Sequence, residues 1–114
     1  MIDLKDKKCE PCSGNAKRVT GDELTELLQL IPKWELVEND GEKQVKRSFK
    51  FENFADALAF TDKVGEIAEG ANHHPEIITE WGKVTVKWWT HKIKGLHLND
   101  FIMAVKTDLL LEGK

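Results

Sequence analysis

The sequence predicts an α+β fold, a two-layer sandwich. A four-stranded antiparallel sheet carries three helices on one face, in the order α-β-β-α-β-β-α. Three observations lead there. Two pairs of short segments with alternating apolar and polar residues are each joined by a tight turn, which pairs them antiparallel. Three stretches with apolar residues at helical spacing surround those hairpins. A chain of 114 residues, 40% hydrophobic and 32% charged, has room for one core rather than two.

Residues 1–18 are polar, carry Pro11 and Gly14, and hold five basic against three acidic side chains. They read as a flexible N-terminal arm, and residues 19–114 as one domain. Thr20 and Glu23 have the spacing of a capping box, in which each side chain serves an orphan N–H of the other's backbone. Leu24, Leu27, Leu28 and Ile31 then form one apolar stripe of a short helix that Pro32 ends. Residues 34–38 and 43–51 read as strands joined through Asp40-Gly41, the usual tight-hairpin pair. Val45, Phe49 and Phe51 share one face of the second strand, with Lys46, Ser48 and Lys50 opposite.

Asn53 is placed to cap the next helix, with Asp56 in its first turn. That helix runs to about Gly70, and its apolar band is broad: Phe54, Leu58, Phe60, Val64 and Ile67, with several alanines. One core needs a narrower stripe, so the helix is either deeply buried or in contact with another subunit. Residues 76–81 and 83–91 form a second hairpin around Trp81-Gly82. Val84, Val86 and Trp88 face one way; Thr85, Lys87, Trp89 and His91 face the other, which puts His91 at the end of a strand. A last helix follows Gly95-Leu96, with Leu98, Phe101, Val105 and Leu109 at helical spacing and Asp100 in its first turn.

Composition excludes several classes. Seventeen basic against twenty acidic side chains give a net charge of −3, without the basic surplus of a nucleic-acid-binding protein or a membrane-surface module. No apolar run approaches the ~18 residues of a spanning helix, and the N-terminus lacks a signal-type apolar block. The expectation is a soluble cytoplasmic protein that binds neither nucleic acid nor membrane. No GxGxxG, GxxxxGK[ST] or GxSxG occurs, which leaves dinucleotide, P-loop and serine-hydrolase chemistry without support. Cys9-Glu-Pro-Cys12 has the spacing of half a zinc site, but a second CxxC is absent and no HxxxH accompanies it. An uncommitted pair of thiols is the simpler account.

The chemistry points to histidine. His73 and His74 are adjacent, and Pro75 biases the residue before it towards extended backbone. Adjacent residues there point apart, so two rings approach one ligand from different directions. His91 lies at the far end of the following hairpin, which the sheet folds back towards that turn. Imidazole gives and takes protons near neutral pH, so two or three around one pocket can act as acid and base. A lone histidine more often packs or caps, and Trp81, Trp88 and Trp89 are more often core or interface than ligand platforms.

The spacing of Glu69, His73-His74-Pro75, Trp81, His91 and Asp100 resembles that of the pterin-4a-carbinolamine dehydratase family. The segments Ala71–Glu76, Thr90-His91 and Gly95-Leu96, the Lys7–Cys12 arm and Pro32-Lys33-Trp34 also look like those of bacterial-type members. The resemblance implies the same α+β sandwich, assembled as a homodimer or homotetramer, and dehydration of 4a-hydroxytetrahydropterin to quinonoid dihydropterin. That reaction regenerates the cofactor of aromatic amino-acid hydroxylases and needs no metal or redox cofactor. Carried over, His73, His74 and His91 are the catalytic trio, and Glu69, Pro75, Trp81, Thr90 and Asp100 contact substrate or shape the site. Within the trio, His73 and His91 are assigned the proton transfers and His74 the placing of the ring. Trp81 is expected to wall the pocket. Some relatives instead serve as dimerisation or assembly cofactors, binding another protein through the helical face. Two positions depart from the family: His97 stands where Ser or Thr usually caps the last helix, and Trp89 where some relatives are smaller.

Overall fold

The computed structural model describes residues 18–112; most of the proposed arm, with Cys9 and Cys12, lies outside the described residues. The elements are α1 (Gly21–Gln29), β1 (Glu35–Asn39), β2 (Glu42–Lys50), α2 (Phe54–Ala71), β3 (Glu76–Glu80), β4 (Lys83–Trp88) and α3 (Leu98–Glu112). This is the order that periodicity predicts. The sheet runs β1-β2-β4-β3, antiparallel throughout.

Both hairpins form for local reasons. Asp40 and Gly41 have φ of 53° and 81°, the two left-handed residues a tight type I′ turn requires. Gly82 is needed for a different reason. Its carbonyl accepts the Phe51 N–H at 2.8 Å, and a Cβ there would sit 2.9 Å from the Phe51 carbonyl oxygen. One face of the sheet is apolar and closed: Val45, Phe49, Val84, Val86 and Trp88 are each at most 2% exposed. Against it pack Leu24 and Leu27 of α1, Phe60, Val64 and Ala68 of α2, and Phe101 to Ala104 of α3. The other face is wet and carries the Lys87–Glu76 and Lys83–Glu80 ion pairs, with Ser48 and Thr85 hydrogen-bonded between them.

Four expectations change. Thr20 has the extended backbone of an N-cap, but its side chain makes no capping hydrogen bond, so the Thr20–Glu23 box is not closed. Helix α2 is capped as expected, the Asn53 side chain accepting the Asp56 N–H at 2.7 Å, yet it is not deeply buried: Phe54 and Leu58 are each 44% exposed. In α3 the predicted stripe is rotated. Phe101 is buried and Leu98 and Val105 half-buried, but Leu109 is exposed, and Thr107 lies in the core, where it accepts the Trp88 indole N–H. Finally, β4 ends at Trp88 rather than running to 91. Thr90 and Gly95 pair with one another, and Lys94 turns left-handed (φ 52°), so that residues 91–93 form a single 3₁₀ turn.

A second polar cluster ties α3 to β2 on the helix-covered face of the sheet. The Trp34 indole N–H is shared between both oxygens of Asp108 at 3.0 and 3.1 Å, and Arg47 closes an ion pair with the same carboxylate. Burial pushes the Asp108 carboxyl above its ordinary pKa, outweighing the Trp34 and Arg47 contacts, which pull the other way.

Candidate active site

The end of α2 delivers the paired histidines. Asn72 takes the left-handed conformation (φ 52°), its N–H returns to the Glu69 carbonyl, and the His73 N–H returns to Ala68. This is a Schellman ending, and asparagine is one of the few side chains that tolerates its αL position. The chain leaves the helix at a fixed angle, with His73 directed inward and His74 outward before Pro75 enters β3.

His73 is 8% exposed, and its Nε2 lies 2.6 Å from Asp100 Oδ1. Its ring is parallel to Trp88 within 5°, with centroids 5.8 Å apart. Asp100 is fully buried yet fully partnered: its second oxygen accepts the Thr90 hydroxyl at 2.8 Å and the His97 backbone N–H at 2.9 Å. His97 in turn accepts the Asn99 N–H on Nδ1 at 3.0 Å. Together His97 and Asp100 form a capping box for α3, with imidazole in the place of the usual hydroxyl. The proton of neutral His97 must then sit on Nε2. Thus the helix start left open by the Ser/Thr-to-His departure is well made, and the carboxylate that caps it also orients His73 and Thr90.

His74 is exposed, and its Nε2 lies 2.6 Å from Glu69 Oε1. With both side chains more than half in water, the contact directs the ring more than it stabilises the fold. His91 opens the 3₁₀ turn, exposed, with its ring against Trp89 at 4.4 Å between centroids and a tilt of 50°.

These groups converge. A cavity of about 360 Å³ is lined by Asn72, His73, His74, Thr90, His91 and Lys92. The three histidines and Thr90 were expected; Asp100 lies beneath them, and Glu69 holds His74 from outside. Asn72 and Lys92 were missed as lining residues. Asn72 carried a readable signal, an αL-tolerant residue just past a long helix, whereas Lys92 had only its place beside His91 to mark it. Pro75 is half-buried and is not among the lining residues. Trp81 does not wall this cavity. It is 70% exposed at the β3–β4 turn, the opposite end of a hairpin whose strands are roughly 17 Å long. Among the described residues, no cluster of three or more His, Cys, Asp or Glu side chains could hold a metal ion, and no helix is long and apolar enough to cross a membrane.

An α+β sandwich that presents three imidazoles to one cavity has the groups that proton transfer to a small ligand requires. The comparisons with known proteins narrow that chemistry. A family model described as pterin 4 alpha carbinolamine dehydratase matches residues 17–110. A protein of Nitrosococcus oceani, provisionally named a pterin-4-alpha-carbinolamine dehydratase, is 57% identical over 98% of this chain and 99% of its own. A crystal structure titled transcriptional coactivator/pterin dehydratase, from Brucella melitensis, superposes with a TM-score of 0.74 at 33% identity, covering 82% of this chain and 98% of that one. A pterin dehydratase-like protein described as a RuBisCO assembly factor of the alpha-carboxysome shares the fold (TM-score 0.58, 19% identity, 68% and 88% coverage). The chain belongs to the pterin 4 alpha carbinolamine dehydratase family and is a dehydratase, a hydro-lyase.

Proposed function

We propose that this dehydratase converts a 4a-hydroxytetrahydropterin, of the tetrahydrobiopterin type, into quinonoid dihydropterin, in the cytoplasm, and so regenerates the pterin cofactor of aromatic amino-acid hydroxylases. The observation that carries the reading is the meeting of His73, His74 and His91 on one cavity whose volume suits a single flat bicycle.

Hydroxide is a poor leaving group, so the 4a-oxygen must receive a proton as its bond to C4a breaks. In this mechanism the His91 imidazolium donates that proton and water leaves. The N5 lone pair forms the C4a=N5 double bond, and a neutral imidazole takes the proton from N5. His73 suits the second part. With Nε2–H directed at Asp100, its Nδ1 is the nitrogen left with a lone pair. His74, steered by Glu69, places the ring. No electrons leave the substrate, so the elimination requires no redox cofactor.

The test follows the decay of 4a-hydroxytetrahydropterin by stopped flow. His73→Ala and His91→Ala are each expected to lower turnover by about 10²-fold or more, and His74→Ala by less. Near-normal turnover in the first two with loss in the third overturns the division of roles.

The exposed Phe54 and Leu58 on α2 favour a second role for the helical face, association with a second copy of this chain as a homodimer or homotetramer. Phe54→Asp with Leu58→Asp is expected to lower the sedimentation mass while leaving turnover unchanged. An unchanged mass refutes self-association through this face. A mass that is monomeric in both proteins leaves the face to the other role known among relatives, a different partner protein.

A further inference from the structure

We infer that Trp89 is the positioning residue for His91: its indole determines where the third imidazole stands over the cavity. The inference rests on the reading of His91 as a proton-transfer group.

The three histidines are restrained in different ways. His73 has a carboxylate at 2.6 Å on one side and the Trp88 ring on another. His74 has a carboxylate at 2.6 Å. Among the described residues, no carboxylate lies within ion-pair distance of His91, and the group set against its ring is the Trp89 indole. An exposed imidazole on a single 3₁₀ turn otherwise samples its staggered rotamers freely. Proton transfer at the 4a-oxygen needs one of them.

Trp89 is also out of place by the logic of the sheet. It follows Thr85 and Lys87 on the face opposite Val84 and Val86, a row otherwise polar, and it is large, apolar and half-buried. Adjacent residues at the end of a strand point to opposite faces. Trp88 stacks on His73 and Trp89 lies against His91, so neighbouring indoles each hold one histidine of the same cavity. Continuation of the β2–β4 register by one residue sets Gln44, only 4% exposed, opposite Trp89. Trp89 also packs against the buried core cluster, which fixes the indole that His91 meets.

The test uses Trp89→Ser and Trp89→Phe in the full-length protein, with turnover and proton NMR measured on each. Trp89→Ser is expected to lower kcat about ten-fold with KM within about two-fold, since the cavity keeps its lining while the acid loses its place. Trp89→Phe, which restores an aromatic face, is expected to recover most of that loss. The His91 ring protons should move downfield in Trp89→Ser as the indole ring current is lost, while those of His73, set against Trp88, stay where they are. Unchanged kcat in Trp89→Ser with His91→Ala inactive overturns the role of Trp89 alone. Normal turnover in His91→Ala overturns the mechanism itself, and the NMR shift then still reports whether the indole places the ring. An equal loss in the serine and phenylalanine variants also refutes positioning by an aromatic face.

Discussion

Asp100 and Asp108 stand on the same helix about two turns apart, and they are used in opposite ways. Asp100 occupies the first turn of α3, where free backbone N–H groups favour an anion, and it is fully buried with three donors on its two oxygens. Asp108 lies in the second half of the helix, without that help, and is held by the Trp34 indole and the Arg47 guanidinium. Here burial prevails, and the Asp108 carboxyl is pushed above its ordinary range. The first carboxylate assembles the candidate site; the second joins helix to sheet. The difference shows that what a buried acid does in a fold is set by the donors around it and by its place along the helix.

Removing each carboxylate in turn sharpens that contrast. Asp100→Ala is expected to have the largest effect. It orphans the Thr90 hydroxyl, the His97 N–H and His73 Nε2 together, at a cost of about 3–5 kcal/mol in urea unfolding and with turnover lost. A variant that retains both stability and turnover would remove Asp100 from the centre of the site.

Asp108→Asn should have a smaller effect whose sign depends on pH. Because the folded-state pKa of Asp108 is raised, the folded state binds the proton more tightly than the unfolded chain does. The stabilisation that follows is full below the unfolded pKa of 3.8 and is lost as pH rises through the folded value. Asparagine still accepts the Trp34 N–H but does not titrate. The stability of wild type minus variant should therefore fall as pH rises above 3.8, and a difference that rises with pH contradicts the dominance of burial.

Glu69→Gln should change least. Its carboxylate is mostly in water, and the amide oxygen still accepts from His74, so turnover within about three-fold of wild type is expected in the stopped-flow assay. A loss as large as that of Asp100→Ala would mean that His74 needs a charged partner.

Much of this protein was legible before folding was considered. The α-β-β-α-β-β-α order, the Asp40-Gly41 turn, the Asn53 cap and the buried row Val84, Val86 and Trp88 follow from residues within a few positions of one another. Local propensity, capping and period-2 or period-3.6 patterning act at that range. The histidines stood out because their residue type and the neighbouring proline are chemically distinctive.

Tertiary structure decided the rest. The family resemblance cast Trp81 as a pocket wall, but the length of its own hairpin carries it to the other end of the sheet. His91 looked like a strand residue until the Thr90–Gly95 pairing turned it onto a 3₁₀ turn. Nothing near Asp100 in the chain announces that it takes hydrogen bonds from residues as far away as His73. Short-range preferences choose the elements, because each is a matter of neighbouring dihedrals and side chains. The partners of a buried polar group are chosen by which elements the core brings together, and that choice exists only once the sheet and helices have closed on one another.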